Sequence, residues 1–412
     1  MLGSKFARLA RQSAAQTLGL RAGIVGVNFA VMLGLAALLG FDTFGRLAAL
    51  WGAALVAGTI VSLGGPLILL RMLTDGQGMR ASDILKIAVF YPALLAFLIY
   101  GMAANLWPAW PWAAILSVGV LANALGCLAS VMRALGSVQA SMALRDAGPQ
   151  LALGLSGVIM GAAGTEVILI STAAAMGVLA LCGVLWVCRH AEASAMLSSA
   201  ARPFWSVSLW GTSVMGMVVA QIDLVLGGAV ISAEQLGVYA VLRRVANLVA
   251  LPVTVATWAS GPSVSAAHAA GNVAGLTRAS ARGSQIAFVP GLALFVVGVA
   301  SLPLLPEGLA VAFAVLLLGA LGQVILAASF TVATLCGLPH FAMGARVLMV
   351  ACYLLWFQWW GAELTATTNA LGYIGALTLG GIALWWGIRR KLGVDTSAAV
   401  MLRAEGRQWK TS

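Results

Sequence analysis

Long apolar runs follow one another from residue 17 to residue 388, a pattern that few folds in water could bury. They fall at roughly 17–40, 47–70, 87–106, 112–132, 147–163, 167–188, 205–229, 238–260, 284–302, 309–335, 341–360 and 369–388. A helix needs about 20 apolar residues to cross the hydrocarbon core. The pattern therefore predicts an all-α polytopic membrane protein with about twelve transmembrane helices. The runs are continuous rather than alternating, which selects helices over barrel strands. Charged residues make up only 8% of the chain, against about 25% in soluble domains. That deficit excludes an ordinary soluble enzyme, and the 61% apolar content excludes disorder.

The net charge of +11 reads as topology, and no nucleic-acid partner is expected. With the N-terminus in the cytoplasm, nineteen of the 23 Lys and Arg residues fall on the cytoplasmic side, Arg346 among them near the start of its run. Arg46 alone falls outside, and Arg21, Arg243 and Arg244 fall within runs. This is a positive-inside pattern with both termini cytoplasmic, and one span more or fewer would scramble it. Lys5, Arg8 and Arg11 before the first run imitate a signal peptide. The run exceeds the ~7–15 residues of a signal core and no small-residue cleavage site follows, so it reads as a retained span.

The external connections, about 41–46, 107–111, 164–166, 230–237, 303–308 and 361–368, are short. They leave no room for a soluble domain, and the external acids Asp42, Glu166, Glu234, Glu307 and Glu363 sit on separate turns. No catalytic residues are expected. No G-x-x-x-x-G-K-[ST] motif occurs, so ATP is not expected as a fuel bound by this chain. The five cysteines are scattered without a C-x-x-C, and His190, His268 and His340 lie far apart. Neither disulfide nor metal is expected, and no cofactor.

Trp107, Trp110 and Trp112 mark one external turn, and Trp356, Trp359 and Trp360 another, as an interfacial belt would. Gly19/Gly23 and Gly157/Gly161 have the small-x-x-x-small spacing of close helix contacts. Residues 262–283 are less apolar and read as a short interfacial segment on the cytoplasmic side.

Besides Arg346, counted with the cytoplasmic cations, four charges fall within the runs: Arg21, Asp223, Arg243 and Arg244. Each costs about 2.5–3.5 kcal/mol at a helix centre, so each should face protein or water. Arg21 either snorkels to the cytoplasmic headgroups or joins Asn28, seven residues on, in one polar stripe. Arg243 shares a face with Asn247, whereas Arg244 points about 100° away. Asp223 is either an ion-pair partner of Arg243 or Arg244 or a proton or sodium site. The excess of arginine suits an anion, because guanidinium binds phosphate oxygens as a fork. Asn28, Asn123, Asn247 and Gln323 could hydrogen-bond a hydrated substrate, or could simply join helices.

The two halves share an outline. Phe44-Gly45-Arg46-Leu47-Ala48 follows the first run, and Leu236-Gly237-Val238-Tyr239-Ala240 follows the seventh, with their glycines 192 residues apart. A six-span repeat of one orientation is a transporter signature. Gln221-Ile222-Asp223-Leu224-Val225-Leu226-Gly227, then Ser232-Ala233-Glu234-Gln235-Leu236-Gly237-Val238-Tyr239, resembles the seventh-to-eighth-helix signature of polysaccharide flippases. Arg21, Asn28, Leu39-Gly40, Phe44-Gly45 and Leu70-Arg71 are similar to their N-terminal pattern. Those flippases belong to the multidrug/oligosaccharidyl-lipid/polysaccharide exporter superfamily.

The resemblance implies two six-helix bundles, 1–204 and 205–388, around a central cavity, with a basic cytoplasmic tail at 389–412. It implies alternating access in a bacterial cytoplasmic membrane. The cargo would be a lipid-linked anionic glycan, a polyprenyl-pyrophosphate oligosaccharide, moved from the cytoplasmic to the outer leaflet. Glycan polymerases and glycosyltransferases would be candidate partners. Arg21, Asn28, Arg243, Arg244 and Asn247 are then the expected substrate-binding residues, with Asp223 for ion pairing or coupling. The alternative is an ion-coupled multidrug exporter of the same superfamily. Against it, the first span carries Arg21 and no acid.

Overall fold

A computed structural model describes residues 2–74, 81–191 and 207–399 of the chain. Arg80, Arg202 and the tail from residue 400 onward lie outside the described residues. Every regular element among the described residues is helical. Among the described residues, ten helical stretches are long and apolar enough to cross a membrane by length and composition.

The count differs from twelve for two local reasons. Helix α1 runs Leu2–Val61, but Gly40 inside it is non-helical (φ 75°, ψ 160°), so the stretch Gly19–Val61 joins the first two runs. At 1.5 Å per residue those 43 residues reach about 65 Å, twice the roughly 30 Å core. Gly40 takes a positive φ that a side chain would oppose. The fifth run is the second case. It folds as α6 (Val138–Met142), a π-helical turn (Ala143–Ala147), α7 (Gly148–Met160) and a 3₁₀ turn (Gly161–Ala163), none of them long by itself.

The second run also breaks near its end. Leu63 and Gly64 take positive φ, and α2 (Gly65–Thr74) restarts with Pro66 in its first turn. The third run is α3 (Ala81–Leu85), a π-helical turn (Lys86–Phe90) and α4 (Tyr91–Leu106). Helices α5 (Trp112–Ala134), α8 (Thr165–Ala191) and α9 (Val207–Val230) supply the fourth, sixth and seventh.

The eighth run lies in α10 (Ala233–Ala269), which contains Pro252 and Pro262, and the ninth in α11 (Val273–Ala300). This corrects the separate interfacial segment expected at 262–283. Gly271 takes φ 62°, and the Asn272 side chain accepts the Gly275 N–H at 2.7 Å, so the reversal is confined to a capped turn. The less apolar stretch is consumed as two helix ends. Helices α12 (Glu307–Ile325) and α13 (Ala327–Leu335) split the tenth run at Leu326, and α14 (Pro339–Trp360) and α15 (Ala366–Leu392) complete the set.

The chain divides into two compact units, Met1–Val225 and Leu226–Ser412. In the first, Gly58 of α1 lies against Gly119 of α5, so closely that a Cβ on Gly119 would sit 2.8 Å from the Gly58 nitrogen. Val31, Leu35 and Leu39 of α1 lie over Gly154, Gly157 and Gly161 of the fifth run. The Gly157/Gly161 pair therefore makes a helix contact, whereas Gly19 and Gly23 have open space beside them. In the second unit, Gly372, Gly380 and Gly387 of α15 receive Trp356, Met349 and Phe341 of α14. Without a solvent-driven hydrophobic effect in lipid, such close small-residue contacts are what join helices.

Candidate functional site

In the first unit, each π-helical turn is met by an asparagine from another helix. A π-turn disturbs the regular hydrogen-bond ladder, and a backbone carbonyl without a donor is costly in lipid. The Asn123 amide of α5 donates to the Ala88 carbonyl at 3.0 Å, in the turn of the third run. The Asn28 amide of α1 donates to the Asp146 carbonyl at 3.0 Å, in the turn of the fifth. Asn123 is buried, and Asn28 is half-buried. Both amides are thus engaged in joining helices. The Asn28 Oδ1 atom is buried with no hydrogen-bond partner among the described residues.

Arg21 is half-buried near the cation-rich end of α1. Asp146 attracts it, while Arg145 and Arg133 repel it. Arg145 itself pairs with Asp146, its Nε 2.8 Å from Oδ1. Asp223 is fully buried on α9. Two residues earlier, Gln221 lies against Gly52 of α1. The Trp210 indole N–H, at the other end of α9, donates to the Ile60 carbonyl at 2.8 Å, beside the break that ends α1.

The second unit holds a buried polar network that counting charges along the sequence did not reveal. Arg243 of α10 is 5% exposed, and its Nη2 donates to the Tyr373 hydroxyl at 3.1 Å. The guanidinium carbon lies 4.9 Å from the Tyr373 ring centre, a cation–π contact. Tyr353 of α14 packs edge-on to Tyr373 and donates its hydroxyl hydrogen to Asn369 Oδ1. Asn369 is fully buried and reaches toward Gly227. The signal for this network was the i, i+4 spacing of Asn369 and Tyr373 inside an apolar run, which puts both on one helix face.

Other expected site residues are placed differently. Asn247 is exposed although it lies one turn from buried Arg243, and Arg244 is half-buried. Gln323 is exposed. Arg346, counted with the cytoplasmic cations, lies inside α14, half-buried with its guanidinium 5.3 Å from the Phe330 ring centre. Among the described residues, no group of three His, Cys, Asp or Glu side chains could hold a metal ion.

After α15 the chain turns at Gly393 (φ 69°) and lies back on the second unit as a strap, with Val394 and Thr396 fully buried. The strap meets the α12–α13 break. The Ser329 amide bonds to the Leu326 carbonyl, and the Ile325 carbonyl accepts the Ala398 amide at 2.8 Å. Ser284 Oγ donates to the Thr396 carbonyl at 3.2 Å, and the Ser329 and Thr396 hydroxyls lie 2.8 Å apart. Asp395 anchors the strap. Its Oδ1 accepts from Trp385 Nε1 at 2.8 Å, the Ser397 amide at 3.0 Å and the Ser397 hydroxyl at 2.7 Å. Burial works to raise this carboxyl, but those hydrogen bonds and nearby Arg389 outweigh it and hold it below the ordinary carboxylate range.

No protein-family model and no curated protein matches the sequence. Solved structures do. A MATE structure in the bent conformation aligns at a TM-score of 0.59 and 14% identity, covering 92% of this chain and 93% of that one. A mutant of the Vibrio cholerae MATE transporter VcmN aligns at 0.57 and 16% identity, covering 92% and 98%. An outward-facing multidrug resistance MATE family transporter of the MOP superfamily aligns at 0.53 and 14% identity, covering 92% and 93%. The chain thus has a MATE-like fold along nearly its whole length, in a multi-pass membrane protein.

Proposed function

We propose that this chain is a secondary transporter that exports amphiphilic organic compounds by alternating access, coupled to an ion gradient. The supporting observation is its MATE-like fold over 92% of its length, shared with a transporter described as conferring multidrug resistance. The short external connections agree with a transporter rather than an enzyme. Asp223, fully buried, is the acid best suited to ion coupling. The compartment is a bacterial cytoplasmic membrane, both termini inside.

A second reading is favoured by a specific observation. Arg243 is buried in the second unit, and the first run carries Arg21 instead of an acid. Positive charge in a low-dielectric interior favours an anionic cargo, and a pyrophosphate-linked oligosaccharide offers the oxygens that guanidinium binds best. In this reading the cargo is a polyprenyl-pyrophosphate oligosaccharide, received from glycosyltransferases and passed to a polymerase.

One paired experiment separates the two. The protein is expressed in a host stripped of its own drug pumps, and susceptibility to cationic, neutral and anionic amphiphiles is measured. In parallel it is depleted from its native cell, and lipid extracts and surface glycan are analysed by mass spectrometry. Raised drug tolerance without lipid-linked glycan accumulation supports export of amphiphiles. Accumulated polyprenyl-pyrophosphate oligosaccharide with lost surface polymer supports the second reading. No change in either assay overturns both.

A further inference from the structure

The α14–α15 pair carries a further feature. An open groove of 260 Å³ lies between the start of α14 and the end of α15, lined by His340, Gly344, Leu348, Ala383 and Leu384 among others. Gly344 is exposed and a side chain there would meet nothing within 4 Å, so the missing side chain leaves the groove open. The wall is mostly aliphatic, as an acyl chain requires. The charge pattern puts this end of both helices at the cytoplasmic leaflet.

The rim has the opposite chemistry. Arg390 and Lys391 are exposed and follow Ala383 and Leu384 by seven residues each, two helical turns toward the cytoplasm on the same face. Side chains on a helix tilt toward its N-terminus, here back toward the groove. Arg390 tilts toward the N-terminus in this way, its guanidinium 5.2 Å from the ring centre of Trp386, an exposed tryptophan suited to the headgroup level. Neither Arg390 nor Lys391 has an acidic partner in an ion pair among the described residues, whereas Arg389 feels Asp395. An apolar slot with two cations two helical turns further along one of its helices is complementary to a lipid with an anionic head.

We infer that the α14–α15 groove is a binding site for one anionic phospholipid of the cytoplasmic leaflet, an acyl chain lying along Gly344 and the phosphate on Arg390 and Lys391. The site does not depend on the identity of the cargo.

The test uses the full-length protein, purified with equimolar phosphatidylglycerol and phosphatidylethanolamine and examined by native mass spectrometry. Wild type should retain one phosphatidylglycerol. Gly344→Leu, whose Cβ meets nothing within 4 Å and whose side chain would occupy the groove, should lower that occupancy at least about tenfold, as expected when acyl burial is lost. Gly375→Leu, on α15 at a glycine also beside open space, should leave it unchanged. Arg390→Gln with Lys391→Gln should cut the preference for phosphatidylglycerol by about fivefold for each cation removed. Equal retention of the two lipids by wild type overturns the proposal. So does wild-type occupancy in Gly344→Leu, or equal losses in Gly344→Leu and Gly375→Leu.

Discussion

Removing the Asp395 carboxylate should release the strap after α15 while leaving the helices in place. One oxygen, Oδ1, holds three donors: the Trp385 indole, the Ser397 amide and the Ser397 hydroxyl. A hydrogen bond to a charged group contributes about 1.5–3 kcal/mol. Asp395 is only partly buried and water can replace some of these bonds, so Asp395→Ala should cost about 2 kcal/mol in total. At 1.36 kcal/mol per factor of ten, that is about a 30-fold larger open population of the strap. Opening separates the Ala398 amide from the Ile325 carbonyl, so deuterium exchange at Ala398 reports it. After correction for intrinsic rates, exchange there should quicken about 30-fold in Asp395→Ala at neutral pH. The pH dependence has a definite sign. The folded carboxyl is held below its ordinary value, so its stabilisation is fully present above about pH 3.9 and fades as pH falls through the lower folded value. Protection in wild type should therefore approach that of the variant only in acid. Ala398 protection in Asp395→Ala within threefold of wild type at neutral pH would refute the account.

Two further outcomes are expected. Arg243→Ala should abolish export while the protein still accumulates in the membrane, since losing the Tyr373 bond costs only about 1–3 kcal/mol; Arg243→Lys should not restore export, because an ammonium cannot reproduce the planar guanidinium's stacking and fork, and normal export by the Ala variant, measured beside its membrane level, would remove Arg243 from the mechanism. Gly119→Ala should lower the melting temperature, because its methyl meets the Gly58 backbone at 2.8–2.9 Å and overpacking costs about 1–3 kcal/mol. Gly34→Ala on α1, beside open space, should be neutral or stabilising, and equal shifts in the two variants would show that the α1–α5 contact is not the cause.

The asparagines show how far sequence reasoning reaches. Asn28 and Asn123 stand out as polar residues in apolar runs, and helix joining was one of their two expected roles. Their targets were not legible. A π-turn depends on how a helix packs against its neighbours, but each of these is followed two residues on by a proline, Pro92 or Pro149, so a break there had a local sign while the asparagine that answers it did not. Arg243 was legible for the same reason as the asparagines. Its partner Tyr373 lies 130 residues away, so the Arg243–Tyr373 contact, and with it the Tyr353–Asn369 pair, came only from the packing of α10, α14 and α15.

The one-dimensional pattern by itself determined the solvent and the helical class, and it carries the positive-inside charge placement. Those depend on run length and charge placement, and the bilayer reads them residue by residue. Even the kink at Gly40 carried a local sign, a glycine at the end of a run. Tertiary structure alone decided which distant group answers the carbonyls that a helix break exposes. Asp395 illustrates this: in the sequence it is one acid in a basic tail, and in the fold it anchors the strap that supplies a donor to Ile325. The bilayer offers no water to satisfy a broken helix, so the partner must come from elsewhere in the chain, and only the packed structure brings it there.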